Sequence, residues 1–91
     1  MPDTLGLLEE AKQLARDLGY RVREEALGDL PGGACTIGGA CHVILNLERT
    51  AAERLDVLLA VLAIDARVAD EPKSRLLASR LRRLAGEESA D

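Results

Sequence analysis

GGACTIGGAC, residues 32–41, carries Gly-Gly-Ala-Cys twice, at 32–35 and 38–41, and His42 comes directly after the second copy. Glycine pairs suit a phosphate-cradling loop. The chain, however, has no Gly-x4-Gly-Lys-Ser/Thr, and no GxGxxG between a strand and a helix. Gly38-Gly39 lead instead into ACHVILNL, a strand-like run. The stretch therefore reads as two strands joined by a glycine turn.

The turn length sets which side chains share a face, because a one-residue shift exchanges the faces of a strand. A two-residue loop at Gly38-Gly39 pairs Cys35 with His42 and Thr36 with Cys41, and mixes polar with apolar residues. A three-residue loop, Gly38-Gly39-Ala40, puts Cys35, Ile37, Cys41, Val43, Leu45 and Leu47 on one face. Thr36, His42, Ile44 and Asn46 then occupy the other. The cleaner core favours three residues. It places both cysteines inside as small hydrophobes and His42 outside. Cys35, Cys41 and His42 also offer three zinc ligands, but a structural site wants four and the chain has no other Cys or His.

N-terminal to the hairpin, Leu7, Leu8, Ala11, Leu14, Ala15 and Leu18 recur with helical spacing. Asp3 or Thr4 can cap this helix and Gly19 can end it. Glu9, Glu10, Lys12, Arg16 and Asp17 read as its solvated face. In YRVREEAL, residues 20–27, Tyr20, Val22 and Ala26 alternate with Arg21, Arg23 and Glu25, as in a half-exposed strand. Glu24 has the wrong parity, so the strand is expected to end or bulge there. Gly28 to Gly33 read as a loop.

C-terminal to the hairpin, Thr50-Ala51-Ala52-Glu53 is a capping box opening a helix expected over 51–69. One stripe is Ala51, Leu55, Leu58, Leu59, Leu62, Ala66 and Ala69. A second is Val57, Val61, Ile64 and Val68. A helix apolar on two sides is buried on two sides. The second stripe is expected to meet the final helix or another copy of the chain. After Pro72, Leu76, Leu77, Leu81 and Leu84 mark the final helix, surrounded by Lys73, Arg75, Arg80, Arg82 and Arg83.

Charge is uneven. Residues 1–71 carry 7 basic and 13 acidic side chains, residues 72–85 five basic and none acidic, and 86–91 three acidic. The basic segment raises nucleic-acid binding as a reading. The acidic remainder and the absence of Trp and Phe weigh against it. The basic residues fit a solvated or acid-pairing face better. Arg outnumbers Lys ten to two, which suggests a GC-rich bacterial genome. The longest apolar run, VLLAVLAI at 57–64, falls well short of the roughly twenty residues a membrane helix needs. No basic leader with an apolar stretch opens the chain. A cytoplasmic protein with reduced thiols is expected.

CTIGGACHVILNLERTAAERLDVLLAVLA, a strand pair ending in Leu-Asn and then a capped helix, resembles the front half of the ImmA/IrrE-type zinc metallopeptidase domain. That resemblance implies a helix–sheet–helix layout. It transfers no zinc ligand, since the family's HExxH falls on a helix that has no His here. The chain also resembles small bacterial proteins with a GGxCxxxG strand pair, which implies no activity.

The expected architecture is a single α+β domain over 1–86, with an acidic tail over 87–91. Its order is helix, three-stranded antiparallel sheet, long helix, final helix, with the helices on one sheet face. The expected function is a non-enzymatic interaction module, a homodimer through Val57, Val61, Ile64 and Val68, open to other protein partners. No cofactor and no membrane contact are expected. The alternatives are nucleic-acid binding through Lys73, Arg75, Arg80, Arg82 and Arg83, and a thiol- or metal-dependent role for Cys35, Cys41 and His42.

Overall fold

A computed structural model of the chain describes residues 3–86; the acidic tail expected over 87–91 lies outside them. The elements run α1 (Thr4–Asp17), β1 (Arg21–Glu25), β2 (Gly32–Ile37), β3 (Ala40–Asn46), α2 (Ala51–Ala63), a 3-10 turn (Ala66–Asp70) and α3 (Arg75–Leu84). The fold is α+β, and the helices pack on one face of the three-stranded sheet.

The helices form where capping and periodicity ask for them. Asp3 accepts from the Gly6 N–H at 3.0 Å at the start of α1. Leu7, Leu8, Ala11, Leu14 and Ala15 face the core. At α2, Thr50 Oγ1 accepts from the Glu53 N–H at 3.1 Å, and Glu53 accepts from the Thr50 N–H at 3.0 Å. Leu55, Leu58, Leu59 and Leu62 are fully buried, and Leu77 and Leu81 of α3 join them. Glu10 of α1 accepts from both the backbone N–H and the hydroxyl of Ser74, each at 2.7 Å, which ties α1 to the cap of α3.

The sheet is mixed rather than antiparallel. Its order is β1-β3-β2, with β1 parallel and β2 antiparallel to β3. The loop 26–31 carries the chain past the end of β3, so β3 inserts between the two strands that precede it in sequence. The span is about 10 Å, two interstrand spacings, easily bridged by a loop of this length. Asn46, at the end of β3, holds that loop. Its Oδ1 accepts from the Leu27 and Glu48 N–H groups, and its Nδ2 donates to the Gly28 and Leu30 carbonyls. Asn46 is 0% exposed, although its parity suggested an outward residue.

The hairpin register overturns the three-residue expectation. Ile37 pairs with Ala40, leaving Gly38-Gly39 as a two-residue loop, so Cys35 pairs with His42 and Thr36 with Cys41. Both glycines take positive φ, 57° and 84°. That is the primed turn whose twist matches the flanking strands, and it removes the need for a third loop residue. Val43 and Leu45 face the helices and are fully buried. Cys41 shares their parity but is exposed at the turn end of the strand, and Leu47 is exposed beyond β3. Both cysteines are exposed free thiols, not the buried pair expected.

Two further corrections concern charge and helix length. β1 continues through Glu24 without a bulge, and Glu24 pairs across from the buried Leu45. There it meets Lys12 Nζ at 3.2 Å and Arg54 Nη1 at 3.0 Å. Lys12 is 6% exposed rather than solvated, and Glu9 also reaches it at 2.6 Å. An inward carboxylate is tolerable because two cations compensate its desolvation. α2 stops at Ala63, short of the expected 69, because Asp65 caps a new 3-10 turn by accepting from the Arg67 N–H at 2.9 Å. Tyr20 Oη donates to Asp65 at 2.9 Å, and Arg67 donates to Asp65 and to the Leu18 carbonyl. This clasp pins the turn against the α1–β1 junction.

Candidate interaction surface

The helices cover one face of the sheet and leave the other open. By register, the open face carries Arg21, Arg23 and Glu25 of β1, His42 and Ile44 of β3, and Gly33, Cys35 and Ile37 of β2. A shallow groove of about 340 Å³ lies at the β2 end of this face, lined by Leu27, Leu30, Pro31, Gly33, Cys35 and Ile44. Leu30 and Ile37 are 64% and 51% exposed. Gly33 keeps this end of the face open, since a Cβ there would meet nothing within 4 Å.

The two sheet edges differ in chemistry. β1 reads Arg-Val-Arg-Glu-Glu, with an Arg23–Glu25 ion pair on its open face. β2 reads Gly-Gly-Ala-Cys-Thr-Ile and contains no charged residue. Charges on an edge strand discourage pairing with another chain, and only β1 has them.

The residues singled out in the sequence do not gather at one place. Cys35 and His42 are neighbours on the open face, while Cys41 pairs with Thr36 on the opposite face, so the three do not converge. Among the described residues no group of three or more His, Cys, Asp or Glu side chains is placed to hold a metal ion. His42 Nδ1 is shielded and meets no hydrogen-bond partner. Val57 and Val61 are half-buried against the core, Val68 is 6% exposed inside the 3-10 turn, and Ile64 at the end of α2 is 88% exposed. The early end of α2 breaks the row, so these four do not form one open face.

Of the basic residues, Arg80 meets Asp56 at 3.4 Å and Lys73 Nζ donates to the Glu71 carbonyl at 2.6 Å. Arg75, Arg82 and Arg83 are exposed. A second cleft, of about 390 Å³, lies where the end of α2 and the 3-10 turn meet α3, between Leu62, Val68 and Leu81, with Asp65, Lys73 and Arg82 in its wall. Asp65 is already engaged: hydrogen bonds from Arg67 hold its carboxyl well below the ordinary carboxylate range.

Three features escaped the sequence reading, and two had a signal. Lys12 lies four residues after Leu8 and three before Ala15, inside the buried stripe by period. Glu24 broke the strand alternation and was its counter-charge. The groove had no local signal, because Leu30, Gly33 and Ile44 meet only through strand order. Among the described residues no helix is long and apolar enough to cross a membrane. No family model, curated protein or solved structure matches the chain.

Proposed function

We propose that the protein is a small interaction module that acts by association rather than by catalysis, and that it pairs with a second copy of itself on the β2 side of the sheet, where the open face meets the uncharged edge. The observation that carries this reading is the one-sided cover of the sheet: Leu30 stands in solvent at a groove that Ile44 also lines, and Ile37 stands in solvent at the turn end of the open face. Burying one such side chain fully is worth about 1.5–3 kcal/mol. An aliphatic core of this size gains proportionately from that burial. The inward polar groups support the same reading, since buried Lys12 and Asn46 and half-buried Glu24 are spent on holding elements together.

Sedimentation equilibrium of the full chain tests it. A dimer is expected, and Leu30→Asp should weaken it about ten-fold or more, equivalent to about 1.4 kcal/mol. Leu30 contributes little to the fold beyond its backbone, so the variant should keep its melting temperature. Ile64→Asp, on the helical side, should leave the dimer intact. A wild-type chain that stays monomeric at high concentration would sink the proposal. So would a dimer broken by Ile64→Asp and not by Leu30→Asp.

A further inference from the structure

We infer, resting on that reading of self-association, that two copies join edge to edge through β2, antiparallel about a two-fold axis at Cys35, and merge their three-stranded sheets into one. Pairing alternates along an antiparallel ladder. In a two-residue hairpin closed by Ile37 and Ala40, Gly33, Cys35 and Ile37 direct their backbone groups to β3. Ala34 and Thr36 therefore direct theirs to the open edge. An edge strand of this kind recruits another strand unless charge, proline or a bulge prevents it. Only Pro31, just before β2, and the positive φ of Gly32 and Gly33 limit it, and both lie at its start. Ala34–Ile37 is left as an uncharged template.

Self-pairing has one register that uses all the free groups at once. Ala34 must face the partner's Thr36, and Thr36 the partner's Ala34. Cys35 then lies opposite the partner's Cys35, and Gly33 opposite the partner's Ile37. The side chains agree with this backbone solution. Ile37 projects from the open face, and the space over Gly33 is empty and bordered by Leu30 and Ile44. Each copy thus sets its Ile37 into the hollow of the other. A two-fold contact requires this self-complementarity, in which one patch supplies both knob and hole. Because the axis stands perpendicular to the sheet, the helices of both copies stay on the same side and the open faces become continuous.

The register makes a covalent test available. Side chains directly opposite in such a pair have Cβ atoms about 4.5–5.5 Å apart, close to disulfide reach. Diamide added to the full chain should join the two Cys35 thiols as a disulfide, their two hydrogens passing to the azo group of the reagent. A linked dimer is expected on a non-reducing gel for wild type and Cys41→Ser, and none for Cys35→Ser. Thr36→Lys and Thr36→Pro should each weaken the dimer about ten-fold or more by sedimentation. Their circular dichroism should be unchanged, since the Thr36 N–H does not serve β3. Arg23→Gln on the β1 edge should change nothing. Should Thr36→Pro fail to fold, Thr36→Lys carries the measurement. A dimer that survives Thr36→Lys, or that links through Cys41 and not Cys35, overturns the edge pairing while leaving self-association standing. A wild-type monomer removes both.

Discussion

The Nδ2 of Asn46 donates to the carbonyl of Leu30 at 2.7 Å, joining the end of the central strand to the loop that arches over it. With the Gly28 carbonyl and the Leu27 and Glu48 N–H groups, it satisfies every donor and acceptor of the amide. The loop that separates β1 from β2 is therefore organised from the end of β3, with Glu48 accepting from the Gly28 N–H and Arg49 donating to the Asp29 carbonyl beside Asn46. The groove beside Leu30 depends on the same contact.

Replacing Asn46 should damage the fold out of proportion to its size. Asn46→Ala removes four part-buried hydrogen bonds to the backbone and should cost about 2–4 kcal/mol in urea denaturation, at about 0.5–1.5 kcal/mol for each bond lost. Asn46→Asp keeps the acceptor but turns the donor into a second acceptor facing two carbonyls, and should cost at least as much. Leu47→Ala, one residue on and exposed, should stay within about 0.5 kcal/mol of wild type.

The Lys12–Glu24–Arg54 triad sets a second expectation. Glu24→Ala strands a buried cation and should cost about 3 kcal/mol, the low end for a broken buried pair, because Lys12 keeps Glu9. The combined variant Lys12→Met, Glu24→Leu, Arg54→Leu should recover most of that loss. Burial by itself would lower the Lys12 pKa, but hydrogen bonds from its ammonium to Glu9 and Glu24 outweigh it and hold the value above the ordinary lysine range. The ammonium therefore stabilises the fold fully below about pH 10.4, and the contribution fades as pH rises through the higher folded value. Thermal melts in alkaline buffers should show wild type and Lys12→Met converging there.

Asp65 predicts the opposite limb. Its folded pKa lies below the unfolded value, held down first by the hydrogen bond from Arg67. Its contribution is complete above about pH 4 and is lost as pH falls towards the folded value. Asp65→Asn should melt at a lower temperature than wild type at pH 7. That gap should narrow below about pH 4 in a series of thermal melts. A gap constant down to about pH 2, well below the ordinary carboxylate range, would mean the Tyr20–Asp65–Arg67 clasp is not an ionic one.

Gly32 is the position where a single methyl group should matter most. Its φ is 86°, and a Cβ there would come within 2.3 Å of the Ile44 carbonyl oxygen, a backbone atom that cannot swing away. Gly32→Ala should cost about 2 kcal/mol or more, combining left-handed strain with the clash. Gly28→Ala, with positive φ but open space around it, should cost only the conformational part, about 1 kcal/mol. Urea denaturation of the two variants separates the effects.

What the residues determined alone was local. Helical period placed the buried stripes of α1, α2 and α3, and Asp3 and the Thr50–Glu53 box set where two of them begin, because caps and stripes depend on neighbours within a turn or two. The glycine pair at 38–39 located the hairpin for the same reason. Tertiary structure decided everything that joins distant parts of the chain. β3 entered between β1 and β2, and the turn geometry of two left-handed glycines outweighed the apolar alternation that favoured an odd loop. The inward Glu24 gained its cations from two helices, and Asp65 ended α2 by engaging Tyr20 and Arg67. These outcomes rest on which charges and strand edges meet across the core, and periodicity describes one segment at a time. The open face with Leu30, Gly33 and Ile37 belongs to the same class: strand order assembles it, so no stretch of sequence displays it.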